Sequence, residues 1–186
     1  GYGGSCFPKD TLALAAFARA AGTRVGVVEA TIAANENQMK RMVGKIVKAI
    51  GSPRGKRVGI LGLTFKPNTD DLRAAPAFKI IAGLKRRGVK VQAFDPVGMR
   101  AAAAAPEMKG VELKENAYET ARGVDALAIV TEWNEFRNLN LKKVKRLMRR
   151  PNLCDLRNVY TPEEAEKAGL RHFGVGRGRV VEKKKG

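Results

Sequence analysis

The sequence predicts an α/β protein: a long helical segment followed by a Rossmann-like open parallel sheet flanked by helices. Three observations predict it. From residue 57 onward, short β-branched runs alternate with helix-period stretches, the pattern of strand–helix–strand crossovers. Between residues 25 and 50 one apolar stripe runs on without a proline. Between these two textures lies GSPRGK (51–56), dense in turn formers. The chain therefore divides into residues 1–50 and residues 51–186.

Residues 10–22, DTLALAAFARAAG, read as a short helix with Asp10 placed to cap it and Gly22 to end it. The stretch 25–50 reads as a single helix. Its apolar residues Val25, Val28, Ile32, Met39, Met42, Val43, Ile46, Val47 and Ile50 are spaced by helical steps onto one face. Such a helix spans roughly 39 Å, and the polar run Asn35-Glu36-Asn37-Gln38 crosses its middle. A core helix and a bridge between domains or subunits both fit. RVGILGL (57–63), VKVQAFD (89–95), VEL (111–113), DALAIVT (125–131), NLCDL (152–156) and LRHFGV (170–175) read as strands. Helices are expected at 76–87, 97–105, 116–123, 140–149 and 161–169, the last marked by Thr161 as cap and Pro162 in its first turn.

A chain of 186 residues with 44% hydrophobic content can bury a core, but its net charge of +18 requires an explanation. Clustered basic residues would fit nucleic acid. Apart from LKKVKRLMRR (141–150) and the terminal KKK, however, the basic residues are dispersed and few aromatics interleave with them. A basic solvated surface is the preferred reading and nucleic acid the lesser one; such a field also attracts smaller anions such as a nucleotide sugar. No apolar run reaches membrane-spanning length, and the first residues do not form a signal peptide. Cys6 and Cys154 are too few for a disulfide framework and form no CxxC pair, so a soluble cytoplasmic protein without a metal site is expected.

Reactive chemistry concentrates in two stretches. GYGGSCFPKD (1–10) sets Cys6 in a glycine-rich turn just ahead of a helix. The helix N-terminus and Lys9 both favour the thiolate, and the glycines let backbone approach a ligand. Cys154, between Leu153 and Asp155 in a strand, reads as a core residue. The second stretch, GLTFKPNTDDLR (62–73), follows the first strand, at the sheet edge where ligands collect in this architecture. The dinucleotide fingerprint GxGxxG is absent there, the spacing being Gly59-Ile60-Leu61-Gly62-Leu63-Thr64. Lys66 and Arg73 suit phosphate oxygens; they equally suit a solvated loop holding its own ion pairs. His172, the only histidine, carries no catalytic expectation.

Taken together, these motifs resemble the UDP-glucose/GDP-mannose dehydrogenase family, the nucleotide-sugar dehydrogenases that oxidise a sugar alcohol to an acid. GYGGSCFPKD is similar to the family's active-site cysteine loop, and VVEATIAANENQ (27–38) to its central helix. GLTFKPNTDDLRAAPA (62–77) resembles the FKP loop, VTEWNEF (130–136) the TEW segment and DLRNVY (155–160) the Asp-x-Arg-Asn strand end. Order and spacing agree from Gly1 to about Arg177. Ala75 departs from the pattern, since the family usually has serine before Pro76, and so do the basic charge and the KKK tail.

The resemblance implies an NAD-dependent, four-electron oxidation of UDP-glucose to UDP-glucuronate through a cysteine thiohemiacetal and thioester. GDP-mannose and UDP-N-acetylhexosamines remain alternative substrates, and a non-catalytic nucleotide-sugar-binding and dimerisation module remains an alternative role. Cys6 matches the nucleophile and Asp10 the carboxylate that positions or activates water. Gly3, Phe65 and Lys66 match substrate contacts, and Lys9 and Arg73 match groups that reach NAD. Arg177 could face the nucleotide, whereas Trp133 and Arg157 read as structural. The resemblance further implies an N-terminal NAD-binding domain absent from this sequence, which would make the chain a C-terminal half inactive alone, and a homodimer formed through the 25–50 helix.

Overall fold

A computed structural model of the chain describes residues 1–177; the KKK run noted above lies outside the described residues. The first element, α1 (Phe7–Ala20), begins three residues earlier than the sequence suggested, with Cys6 at its N-cap position. Proline's fixed φ is tolerated in a first helical turn, so Pro8 joins the helix instead of preceding it. Asp10 is therefore not the cap. It lies one turn inside, its N–H donating to the Cys6 carbonyl at 2.8 Å.

The long helix forms as α2 (Gly26–Ile50). Its stripe is covered unevenly: Met39, Met42, Val43, Ile46, Ala49 and Ile50 are buried, all in the C-terminal half. There the helix packs with Val58, Ile60, Ile80, Leu84 and Cys154 in one continuous apolar cluster. Val25, Val28 and Ile32 remain partly exposed, since this half of the helix packs against α1 and not against the sheet.

Six strands follow: β1 (Arg57–Leu61), β2 (Lys90–Phe94), β3 (Glu112–Leu113), β4 (Ala126–Ile129), β5 (Asn152–Asp155) and β6 (Arg171–His172). They make one parallel sheet in the order β3-β2-β1-β4-β5-β6. Side chains alternate between its faces with the period of two that strands impose. Val58, Ile60, Ala126, Ala128 and Cys154 face α2 and α3 (Pro76–Lys85). Leu61, Leu127, Ile129 and Leu153 face the cluster that includes α5 (Ala117–Ala121), α7 (Leu141–Leu147) and α8 (Pro162–Lys167).

Several elements are shorter than their patterns promised. β1 stops at Leu61 because Gly62 turns to φ +95°, and β6 holds only two residues. The helix expected over 97–105 reduces to α4 (Met99–Ala103), followed by a 3-10 turn at Pro106–Met108. A single-turn helix, α6 (Asn134–Arg137), falls in a segment with too few residues to show a period. The end of the chain matches its sequence signals well: Thr161 and Glu164 exchange hydrogen bonds as a capping box at the start of α8.

The substitution at Ala75 has a visible consequence. Ala75 is the N-cap of α3, is buried, and has the extended backbone of a capping residue with no side-chain oxygen to offer. We expect Ala75→Ser to satisfy one free helical N–H and stabilise the fold by about 1 kcal/mol, read as a higher urea midpoint with unchanged slope.

Candidate functional site

The order of strands places the crevice between β1 and β4, where connections leave in opposite directions. One buried carboxylate ties together the segments that follow β1, β2 and β4. Asp95, at the end of β2, is fully buried. Its Oδ2 accepts from the N–H groups of Leu63 (2.7 Å) and Thr64 (3.0 Å), from the Thr64 hydroxyl (3.0 Å) and from Trp133 Nε1 (3.2 Å). Its Oδ1 accepts from the N–H groups of Val97 (3.0 Å) and Gly98 (2.7 Å). Burial alone would raise this carboxyl's pKa. The N–H donors of Gly98, Leu63, Thr64 and Val97 outweigh it and hold the pKa below the ordinary aspartate value. Thr131 adds a bond from its hydroxyl to the Thr64 carbonyl at 2.6 Å. Trp133 is thus a polar tie as well as an apolar anchor.

These bonds fix the loop of residues 62–75 at its root. Within the tip, the Phe65 N–H donates to the Asp71 carbonyl (3.2 Å), and Arg73 grips Asp71 with two guanidinium bonds of 2.9 and 2.8 Å. Ala74 is driven to φ +51°, uncommon for a residue with a Cβ.

The cysteine loop docks on this tip. The Gly4 N–H donates to the Arg73 carbonyl at 2.9 Å. Two glycines are required for the approach. A Cβ at Gly3 would come within 2.5 Å of the Ala74 carbonyl oxygen, and one at Gly4, whose φ is +93°, within 2.9 Å of the Phe65 ring. On its other side the loop is tied to α2, where Asn35 accepts from the Tyr2 N–H (2.8 Å) and donates to the Tyr2 carbonyl (3.1 Å).

Cys6 is carried out on this platform with its thiol exposed, 3.6 Å from the Ser5 hydroxyl. Cys154 is the opposite case: burial pushes its thiol up to about 12, so it remains protonated and inert within the core. The structure therefore brings Gly3, Cys6, Phe65 and the backbone of Arg73 together. Lys66 is exposed beside Phe65, its amine 5.4 Å from the ring centroid. Lys9 and Asp10 pair with one another at 2.8 Å on the solvent side of α1. The hydrogen bond that the Lys9 amine donates to the Asp10 carboxylate, with that carboxylate's negative charge next, raises the Lys9 pKa.

Both readings of the 62–73 loop are thus present in part: Arg73 is spent on an ion pair inside the loop, while Lys66 forms none among the described residues. Arg157 holds Glu132 in a two-pronged pair, one contact being 2.9 Å, and so ties the end of β5 to the TEW segment. Arg177 donates to the Tyr160 carbonyl at 3.3 Å.

The N–H groups of Leu63, Thr64, Val97 and Gly98 are not available to cradle a dinucleotide's phosphates, since all four donate to Asp95. Lys9 and Arg73, the cations expected to reach a dinucleotide, are exposed and each paired with a neighbouring acid. Of the residues singled out in the sequence, Arg177 lines the cleft of about 360 Å³ along α2, whereas Gly3, Cys6, Lys9, Asp10, Phe65, Lys66 and Arg73 line neither that cleft nor the one of about 600 Å³. Sequence reasoning passed over Asp95, Gly4 and Asn35. An acid at the carboxyl end of a strand, next to the strand bearing the candidate loop, was the available signal for Asp95.

Comparison with known proteins identifies the family of both parts of the chain. Residues 59–162 match the UDP binding domain of the UDP-glucose/GDP-mannose dehydrogenase family, and residues 1–37 match its central domain. The chain is 47% identical over 178 residues to a UDP-glucose 6-dehydrogenase of Rhizobium meliloti, covering 95% of this chain and 40% of that protein. It is 41% identical over 180 residues to one from Bacillus subtilis, covering 97% and 39%. The solved structure of a UDP-glucose dehydrogenase from the archaeon Pyrobaculum islandicum superposes with a TM-score of 0.80 at 31% identity, covering 96% of this chain and 38% of that one. The chain thus spans about 40% of the length of these relatives.

Because the native pKa of Asp95 is depressed, its contribution to stability is complete above about pH 4 and is lost as pH falls through the lowered native value. Asp95→Asn should cost about 2–4 kcal/mol at neutral pH. It should also flatten the acid side of the stability curve, as measured by urea unfolding at a series of pH values.

Proposed function

Since the chain belongs to the UDP-glucose/GDP-mannose dehydrogenase family, we propose that it supplies the nucleophile and the nucleotide-sugar side of an NAD-dependent nucleotide-sugar dehydrogenase. UDP-glucose is the proposed substrate and UDP-glucuronate the product. The observation that carries this is the docking of the cysteine loop on the FKP loop, which sets an exposed thiol on the same platform as Phe65 and Lys66.

When bound, NAD supplies the acceptor for both hydrides, and Lys9 and Arg73 are the residues of this chain that would hold it. Lys66 is placed to meet a phosphate or sugar hydroxyl, with Phe65 as its apolar neighbour. An aldehyde carbon yields no hydride readily, so the second oxidation requires a tetrahedral carbon. The Cys6 thiolate provides one by adding to the aldehyde: an S–C bond forms, and the carbonyl oxygen takes up a proton to give a thiohemiacetal. After that carbon is oxidised it is a thioester on Cys6. Water then attacks, the C–S bond breaks, the thiolate returns and the acid leaves. Asp10 lies one helical turn beyond Cys6 and is placed to orient that water and accept its proton.

Two copies are proposed to pair through the 25–50 helix and the adjoining face of α1. Of the large exposed apolar side chains among the described residues, Phe7, Leu12, Leu14, Phe17 and Val27 all lie on this hairpin, and only Val97 lies elsewhere. Such a patch marks an interaction surface. The free thiols of Cys6 and Cys154 suit a reducing, cytoplasmic setting. No helix among the described residues is long and apolar enough to cross a membrane.

A chimera carrying this chain in place of the matching segment of the Rhizobium meliloti relative should form UDP-glucuronate. Cys6→Ser in that chimera should abolish acid formation while leaving UDP-glucose affinity within about twofold; unchanged turnover would remove the covalent role. Calorimetry with UDP-glucose, GDP-mannose and a DNA duplex should rank UDP-glucose first. For pairing, Phe17→Asp should shift the sedimentation coefficient from dimer to monomer with helicity retained, and an unshifted dimer would place the interface elsewhere.

A further inference from the structure

Along the C-terminal half of α2, on the side facing β6, runs a cleft of about 360 Å³. Arg41, Lys45 and Lys48 recur at helical spacing along one wall, Arg177 stands on the other, and no acidic side chain lines it. None of these four cations forms an ion pair among the described residues. His172 also lines the cleft, with Phe173 beside it; the histidine is only 4% exposed, and neither ring nitrogen has a hydrogen-bond partner among the described residues. Nε2 faces the Asp155 carboxylate at 3.6 Å, longer than a hydrogen bond but close enough to help hold that carboxyl's pKa below the ordinary value, and Nδ1 has no hydrogen-bond partner among the described residues. Unpaired cations in a row and a buried imidazole nitrogen without a partner are two separate deficits at one place, and both are relieved by an anion with several oxygens.

We propose that this cleft binds the phosphate or diphosphate group of a small molecule. Its oxygens would lie between the Arg41–Lys45–Lys48 row and Arg177, with one accepting an N–H of His172. The charge favours a multivalent anion over a single carboxylate, and the volume, at the low end for ligand pockets, suits a diphosphate or a sugar phosphate. The cleft shares no residue with the surface around Cys6, so the proposal stands apart from the catalytic reading.

His172 is the only histidine in the sequence, so the imidazole signals in a proton–nitrogen NMR spectrum of the untagged chain report on this cleft alone. Inorganic pyrophosphate, inorganic phosphate and UDP would be titrated separately at fixed ionic strength. The expected result is a saturable, single-site shift of the His172 signals with pyrophosphate. That shift should weaken by roughly a hundredfold in the Lys45→Gln/Arg177→Gln double variant and be preserved in Lys79→Gln. A response to UDP as strong as that to pyrophosphate assigns the site to nucleoside diphosphates; a weaker one assigns it to the free anions. Signals unmoved at millimolar pyrophosphate overturn the proposal. So does a shift equally strong in the double variant, or one reproduced by chloride.

Discussion

The Asp95 carboxylate holds three strand ends in one place. It accepts from the loop after β1 at Leu63 and Thr64, from the turn after β2 at Val97 and Gly98, and from the segment after β4 at Trp133. Burying a carboxylate costs several kcal/mol, and six donors are what make that burial tolerable. The consequence extends outward through contiguous bonds. The root of the 62–75 loop is fixed, its tip offers the Arg73 carbonyl to Gly4, and Cys6 follows two residues later. A thiol at the edge of a flexible glycine loop thereby acquires a defined position.

The sheet solves the burial of acids in two ways. At its carboxyl end Asp95 is neutralised by N–H and O–H donors alone. Asp125, just before β4 and also fully buried, instead sits among Lys56, Arg149 and Arg150 at 3.7–3.8 Å, with one hydrogen bond from the Arg57 N–H. Near the proposed site, donors without formal charge leave Lys66 without an ion pair among the described residues, while Arg73 and Lys9 pair with Asp71 and Asp10. At the opposite end, cations surround the acid and leave a basic rim. Some of the excess positive charge is thus used locally, around the buried Asp125.

The long helix shows how one amphipathic pattern can serve two environments. Its stripe continues across the polar Asn35-Glu36-Asn37-Gln38 run, but only the half after it meets the sheet. Asn35 marks the transition by turning its amide to the Tyr2 backbone, so the polar interruption is also the anchor of the cysteine loop.

The sequence by itself determined what depends on near neighbours. The alternation of strands and helices, the Thr161–Glu164 capping box, the burial of Cys154 and the turn at 51–56 all arise from periods and caps that act within a few residues. The five motifs around Cys6 and the FKP loop were equally legible, because the residues of each are contiguous. Only the tertiary structure decided that Asp95 gathers the segments after three strands and that Gly3 and Gly4 meet Ala74 and Phe65. Asp95 is some thirty residues from Leu63 and from Trp133, and Gly4 is farther still from Arg73. Such bonds leave no local period to read, since they exist only once the strands are set side by side.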